Sequence, residues 1–414
     1  MRLAFVLPWY GKGVPGGAEA EAWHTIQHLI KVGYTVEVFT TCIKDFFADW
    51  ASNYHRPGMT QEDGVTVHRY PVLPRDKASY DSVNQKIIGR FSLIPAENLT
   101  FADEFINCSE LLNALHQNKD SYLFFFIPYL FPTTFDGLPI VGKNSVLIPC
   151  LHDEGYAYLD LFNKIMPLAQ AVICHTQSEY RLFKSLYPVP NDQVVTVLGE
   201  GVDISAEDSD PAASGAAFRK KYRINGPYVL YAGRKDAGKN IGQLFSYWRY
   251  YQHESGRFSK LKLILIGPGD AQIPYDMTDS VLDLGYVSAE DKRNAFAGAT
   301  LFCQPSLNES FSLVLMDAWL AEKPVLVNGL SDVLVEHVRR SNGGLYYGNT
   351  EEFIAMVDWI LDHAEESAAM GKNGRAYVEN EYAWDKIMAG YIKLIEEIAH
   401  KNQLHIERIE IGQQ

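Results

Sequence analysis

Tyr228-Val229-Leu230-Tyr231-Ala232-Gly233-Arg234-Lys235-Asp236-Ala237-Gly238-Lys239-Asn240 reads as a short apolar strand that breaks at a glycine and turns into a helix. Five consecutive apolar residues suit a strand covered on both faces. Gly233 ends the run, and Ile241–Gln252 continues with helical spacing. A strand, a tight turn and a helix are the first half of a βαβ unit. The unit recurs downstream. Strands are expected at Leu261–Ile266, which ends at Gly267-Pro268-Gly269, and at Ala299–Gln304 and Pro324–Asn328. Helices are expected at Phe311–Ala321 and Ser331–Arg339, and the chain is largely helical from Thr350 to about Ile409.

The same rhythm holds upstream. Strands are expected at Leu3–Leu7, Thr35–Thr40, Val65–Tyr70, Leu123–Ile127, Val146–Leu151, Ala171–His175 and Val194–Leu198. Helices are expected at Ala18–Lys31, Tyr156–Met166 and Ser178–Leu186. The segment Glu200–Gly226 breaks the alternation. Its stretch Glu207–Gly215 is small, polar and turn-forming, and it reads as an interdomain connection. The fold class is therefore α/β, with two Rossmann-like doubly wound parallel-sheet domains facing a cleft. The first domain is expected over 1–204 and the second over 205–389, with a terminal helix at about 390–414 returning to the first. Ligands belong at the carboxyl ends of the strands in such sheets.

Length and composition agree. The chain has 414 residues, 47% hydrophobic and 21% charged, enough for two full cores. The net charge of −14, without a dense basic stripe, argues against a nucleic-acid partner. An anionic ligand then needs locally placed cations. Five scattered cysteines, without a C-x-x-C pair, argue against a disulfide framework or a zinc site and fit a reducing cytoplasm. The first apolar run stops at Pro8, too soon for a signal peptide, and no stretch approaches the length of a membrane span. A cytoplasmic protein is expected. Peripheral contact with the inner face of a membrane stays open, as does the oligomeric state.

Four constellations carry chemistry. The first is Gly11-Lys12-Gly13-Val14-Pro15-Gly16-Gly17-Ala18-Glu19, between the first strand and the first helix. Glycines let the backbone approach a ligand, and helix N-termini attract phosphate. The stretch contains G-x-G-x-x-G, but a dinucleotide site needs an acid at the end of the second strand. That strand ends Phe39-Thr40-Thr41, with Glu37 inside it. A tight turn without a ligand is the plainer alternative. The second is the turn quoted above, where the Arg234 fork and the Lys239 point charge can converge on one diphosphate. An ordinary solvated turn is its alternative.

The third constellation is Glu309-Ser310-Phe311-Ser312-Leu313-Val314-Leu315-Met316-Asp317. Glu309 is expected at a helix start, with Asp317 about 12 Å further along the same face, able to contact a separate polyol. Simple capping by Glu309 and a solvated Asp317 are the alternative, and Phe311 and Leu313–Met316 look like core. The fourth is Cys150-Leu151-His152-Asp153-Glu154 at a strand end. His152 there is either a sugar contact or a structural histidine, and Asp153 and Glu154 suggest a metal. The only D-x-D of the chain, Asp208-Ser209-Asp210, falls in the presumed linker. No essential metal and no cofactor are expected.

Taken together and in this order, the glycine-rich loop, G-R-x4-K-N and E-x7-acid resemble the GT-B fold retaining glycosyltransferases of family four, also called group 1. Leu198-Gly199-Glu200-Gly201-Val202-Asp203 resembles the family's N-G-V-D segment. Gly285-Tyr286-Val287-Ser288 resembles its base-receiving loop, and Tyr382-Ala383-Trp384 its F-S-W segment. The resemblance covers most of the chain and is thinnest over about Phe46–Ser121.

It implies transfer of a hexose from a nucleoside-diphosphate sugar, with UDP the default base and GDP and ADP open; a non-catalytic nucleotide-sugar-binding partner subunit and a GT-B-type sugar-nucleotide isomerase are the alternatives. The acceptor would be a saccharide or glycolipid, in polysaccharide or glycoconjugate synthesis. Arg234 and Lys239 would bind the diphosphate. Gly16 and Gly17 would meet donor or acceptor through the backbone. Tyr286 and Val287 would receive the base. Glu309 would hold sugar hydroxyls, Ser310, Phe311, Ser312 and Leu313 would belong to the substrate-binding set, and Asp317 would hold the ribose. The catalytic set implied is Glu309, His152, Arg234 and Lys239. The family usually has Glu at Asp317 and Asn at Glu200, and the latter change adds a carboxylate near the expected cleft. Trp9, Tyr10, Tyr129, Phe131, Tyr156 and Tyr158 sit near strand ends, where they either stack on sugars or belong to the core.

Overall fold

A computed structural model describes residues 1–204, 211–254 and 261–408. The chain divides into two compact units, Met1–Gly201 with Trp384–Gln414, and Val202–Ala383. Each is a sheet flanked by helices.

The first unit has eight strands: β1 Arg2–Val6, β2 Val36–Thr41, β3 Gly58–Glu62, β4 Val65–Tyr70, β5 Tyr122–Phe126, β6 Ser145–Leu147, β7 Ala171–Cys174 and β8 Val194–Val197. Their order across the sheet is β3-β4-β2-β1-β5-β6-β7-β8. All neighbours are parallel except the β3–β4 pair. β2 and β5 are buried along their whole length, and β1 from its second residue onward, because helices cover both faces. Phe5 and Phe125 stack across the β1–β5 register, with ring centroids 4.9 Å apart. The chain builds outward from β1 through β2 on one side and from β5 on the other, so the order reverses between β1 and β5.

The second unit holds β9 Tyr228–Ala232, β10 Lys262–Ile266, β11 Val281–Asp283, β12 Leu301–Gln304, β13 Val325–Asn328 and β14 Gly344–Tyr347. The order is β11-β10-β9-β12-β13-β14, with every neighbouring pair parallel. Here the order reverses between β9 and β12. Doubly wound sheets hold ligands beyond the carboxyl ends of the strands at that reversal.

The expected α/β class with two doubly wound sheets is the observed one, with local differences. β6 stops at Leu147, because Pro149 has no N–H to donate and Cys150 sits at φ 50°. The helix expected over Tyr156–Met166 is a 3-10 turn, Gly155–Tyr158, followed by the helix Asp160–Ile165. The linker-like stretch carries the helix Pro211–Tyr222, with Pro211 at a first-turn position that tolerates a missing N–H. Asp208 and Asp210 lie outside the described residues. The terminal helix begins earlier than expected, at Trp384, and runs to Lys401. Trp384 stacks on His28 within the first unit, centroids 3.9 Å apart. The part of the expected terminal helix beyond residue 408 lies outside the described residues. The segment of thinnest resemblance contains β3 and the helices Lys77–Ile88, Pro95–Asp103 and Ser109–Asn118, gathered on Trp50, Tyr80, Phe101 and Phe105. Among the described residues no helix is long and apolar enough to cross a membrane.

Candidate active site

The loops after β9 and β12 meet at the order reversal of the second unit. Gly233 has φ 155°, and Gly267, after β10, has φ 124°. A Cβ on Gly267 would overlap the Gly233 carbonyl, so only glycine lets these two turns pass so closely. The Tyr231 hydroxyl donates to the Arg234 carbonyl at 2.5 Å and holds the turn open. Burial pushes the Tyr231 pKa up, with Glu309 and Asp236 adding to it, so the hydroxyl stays protonated.

Two lysines of this turn have opposite fates. Lys235 is turned into the unit, its Nζ 2.5 Å from Asp283 Oδ1 and 2.7 Å from the Gly267 carbonyl. It ties the β9 turn to the ends of β10 and β11. Lys239 reaches the other way, and its Nζ lies 2.7 Å from Glu309 Oε1 in the loop after β12. Asn240, at φ 60°, donates to the Pro305 carbonyl at 3.1 Å, and Asn328 at the end of β13 donates to the same oxygen at 2.9 Å. These bonds lock the Glu309 loop onto the Lys239 loop. Arg234 is half-buried, its Nε 3.4 Å from Asp236 Oδ2.

Glu309 does not start a helix. Ser312 takes φ 81°, and the helix begins only after it, at Leu313–Leu320. Asp317 therefore sits one turn inside that helix, while Glu309 lies in the loop before it. No side chain caps the helix and no acid occupies its first turn. Gln304, the last residue of β12, donates to both Glu309 Oε1 and Ser312 Oγ at 3.3 Å, which puts the uncapped start beside the carboxylate. Lys239, Gln304, Glu309 and the uncapped start of Leu313–Leu320 are thus brought together, and an uncapped helix start beside a cation is the kind of environment that attracts an anion.

Other expected positions are dispersed. Ser310 and Leu313 are half-buried, whereas Phe311 is fully buried against His337 and Tyr382, so its side chain is core. Asp317 is paired with Lys292 at 2.7 Å. Tyr286 is 75% exposed after β11, and Val287 is half-buried beside it.

In the first unit, Gly16 precedes the helix Gly17–Lys31 at φ 147°. A Cβ there would overlap the Glu19 carboxylate, whose Oε1 accepts from Trp9 Nε1 at 2.5 Å. The chain's own anion thus lies against the helix start where a phosphate was to be considered. Glu37 is tied to Arg2, His68 and Tyr122 inside the sheet, which removes the acid a dinucleotide site requires. His152 is half-buried in the segment after β6, 3.5 Å from Glu154. Asp153 turns outward to Arg90 and Tyr158. Glu200 is buried near His175 and Cys150 rather than open to a substrate. Trp9, Tyr10, Tyr129 and Phe131 are core, and Tyr158 is exposed.

Glu21, Cys150 and His175 place their donor atoms within 4.8 Å of one another. His175 Nε2 is already bonded to Glu21 at 2.7 Å, and burial pushes the Cys150 thiol up, so the cluster reads as a buried ion-pair network. Gln304, Asn328 and Lys235 were not singled out from the sequence. For Gln304 and Asn328 the available signal was a polar residue closing an otherwise apolar strand at its carboxyl end.

Residues 216–377 match the Glycosyl transferases group 1 family model. Arg234, Lys239, Glu309 and Asp317 all lie within the group 1 match. The chain is 27% identical over 137 residues to a GDP-mannose-dependent monoacylated alpha-(1-6)-phosphatidylinositol monomannoside mannosyltransferase of Corynebacterium glutamicum, a match covering 30% of this chain and 36% of that protein. It spans about a third of the length of the curated relatives. Among solved structures, sucrose-phosphate synthase from Thermosynechococcus elongatus superposes with a TM-score of 0.70 at 17% identity, covering 97% of this chain and 99% of that one. Anabaena HepE, in complex with UDP and glucose, gives 0.65 at 16% identity, covering 96% and 99%. The architecture is the GT-B fold. The group 1 match spans less than half of the chain, and the likenesses to solved structures speak for the fold.

Proposed function

We propose that this protein is a retaining glycosyltransferase of family four. It moves a hexose from a nucleoside-diphosphate sugar, UDP-glucose-like, to a saccharide or lipid-linked saccharide in polysaccharide or glycoconjugate synthesis, in the cytoplasm or at the inner face of a membrane. The observation that carries the reading is the Lys239–Glu309 pair beside an uncapped helix start at the β9/β12 reversal.

As the glycosidic bond breaks, charge grows on the diphosphate oxygens. Lys239, Arg234 and the N–H groups at the start of Leu313–Leu320 stabilise that charge more than they stabilise the ground state. The two cations supply what a metal supplies elsewhere, so the proposed step has no metal in it. Glu309 accepts hydroxyls of the transferring sugar, and Tyr286 and Val287 receive the base. Asp317 takes the ribose by exchanging its bond to Lys292. The first unit reads the acceptor, with His152 and the Gly16-Gly17 turn as its contacts. No nucleophile is assigned, because in a same-face reaction the leaving phosphate deprotonates the acceptor.

A thermal-shift screen with UDP-glucose, GDP-mannose and ADP-glucose tests the reading. A donor at about 100 times its Kd stabilises by about 2.7 kcal/mol. A response to UDP-glucose above the other two is expected. A response to GDP-mannose alone would correct the base, as the mannosyltransferase likeness suggests, and no response to any nucleotide sugar would remove the proposal.

A further inference from the structure

His337 lies in the second unit, on the helix Asp332–Ser341, and is fully buried. Its ring stands edge-on to that of Phe311, centroids 5.2 Å apart, in the loop between Glu309 and the helix Leu313–Leu320. Its Nδ1 lies 3.0 Å from the Tyr377 hydroxyl, which lies 2.7 Å from the Tyr382 hydroxyl, and Arg340 donates to Tyr382 at 3.4 Å. An arginine only donates, so the row runs one way from it. Tyr382 accepts from Arg340 and donates to Tyr377, Tyr377 donates to His337 Nδ1, and the ring proton sits on Nε2. The reverse order would leave the Nε2 lone pair facing the Phe311 carbonyl. Burial and Arg340 keep the ring from taking a second proton, whereas the Phe311 backbone, an acceptor beside the ring, works the other way. Yet Nε2 completes no hydrogen bond among the described residues. A buried donor left without a partner is uncommon and costly.

We propose that His337 is a positioning residue for the donor diphosphate, a role that rests on the nucleotide-sugar reading: with nucleotide bound, its Nε2–H takes the Phe311 carbonyl and so aims the Ser312 N–H at a phosphate. The link is one peptide plane. In a trans peptide the C=O of Phe311 and the N–H of Ser312 point in opposite directions. A carbonyl held inward by His337 therefore turns that N–H outward, beside the uncapped start of Leu313–Leu320. Ser312 takes φ 81°, a conformation that a non-glycine residue keeps only where its surroundings impose it. Two contacts impose it here. The Phe311 ring is held edge-on by both His337 and Tyr382, and Gln304 donates to Ser312 Oγ at 3.3 Å. An apolar side chain would fill the place of His337 without an unmet donor, so packing alone does not account for an imidazole there.

The test compares a nucleoside diphosphate with its own nucleoside on the full chain, UDP with uridine and GDP with guanosine, by calorimetry and ligand-observed NMR. His337→Phe removes the Nε2 donor and keeps a ring. It should weaken the diphosphate about tenfold and leave the nucleoside unchanged, because only the diphosphate meets the Ser312 N–H. His337→Gln, which puts an amide N–H near the Nε2 position, should recover most of that loss. Tyr377→Phe no longer fixes the proton on Nε2 and should weaken the diphosphate about threefold. Melting temperatures without ligand report whether each variant folds, and Tyr377→Phe keeps the role testable if His337→Phe does not fold. Diphosphate affinity unchanged in every variant that folds, equal loss of diphosphate and nucleoside, or His337→Gln as weak as His337→Phe would each overturn the role and leave the nucleotide-sugar reading standing. A wild type that binds neither diphosphate would remove both.

Discussion

Lys239 Nζ lies 2.7 Å from Glu309 Oε1 across seventy residues of sequence. The pair joins the loops after β9 and β12 at the order reversal of the sheet, and each group neutralises the other. On the proposed function, a diphosphate draws the lysine away from its carboxylate. Glu309→Gln should therefore keep or tighten UDP binding while lowering turnover at least about a hundredfold. Lys239→Ala should weaken UDP and lower turnover by about two orders of magnitude, about 3 kcal/mol. Calorimetry with UDP and initial-rate kinetics check both. Lost UDP affinity in Glu309→Gln with normal turnover at saturation would contradict the roles given.

Lys235 differs from Lys239 in what it holds. Its buried ammonium is bound by Asp283 and the Gly267 carbonyl. Lys235→Met leaves Asp283 without its cation and should cost about 3 kcal/mol of stability, seen as a lower thermal transition. The same measurement on Lys239→Ala should show little change. Adding Asp283→Asn to Lys235→Met should restore part of the loss.

Two glycines with left-handed backbones separate strain from collision. Gly13 has φ 76° and nothing near a would-be Cβ, so Gly13→Ala carries only conformational strain, about 1 kcal/mol. Gly267 has φ 124° and the Gly233 carbonyl in the way. Gly267→Ala should be markedly more destabilising and should weaken nucleotide binding too, because it displaces the β9 turn. Urea unfolding of the two variants side by side decides this.

Two buried histidines set opposite pH dependences. Burial disfavours the charged form of His175, but Glu21 and Glu179 outweigh it and push its pKa up to about 10. Against an unfolded value of about 6.5, the stabilisation is complete below about pH 6.5 and is lost as pH rises towards about 10. His337 is held neutral by burial and by Arg340, its pKa lowered to about 3, so its contribution is present above about 6.5 and is lost as pH falls. Transition temperatures should fall on both sides of near-neutral pH. His175→Gln should flatten the alkaline limb alone; an unchanged alkaline limb would show that another group carries it.

The repeating architecture was legible because strands buried on both faces are written as apolar runs, and Tyr228–Ala232 and Val65–Tyr70 stand in the structure with the limits expected of them. Short or exposed strands were not legible. β3 is exposed along most of its length and antiparallel, and β11 has only three residues. The expected helix over Phe311–Ala321 began too early, because Ser312 adopts φ 81° and no local residue type announces it. Phe311 was placed with the binding residues from its motif, yet an aromatic ring next to a site is usually packed beneath it, as this one is against His337 and Tyr382.

By itself the amino-acid order determined the α/β class, the two sheets, and which short segments end strands and begin helices. All of these follow from the periodicity of burial and from glycine and proline. Only the tertiary structure decided that Lys239 rather than Lys235 faces Glu309 and that Glu19 fills its own glycine turn. Those outcomes depend on which distant backbone lies within a few ångströms of a side chain. Strand order sets that distance, and no local spacing encodes it.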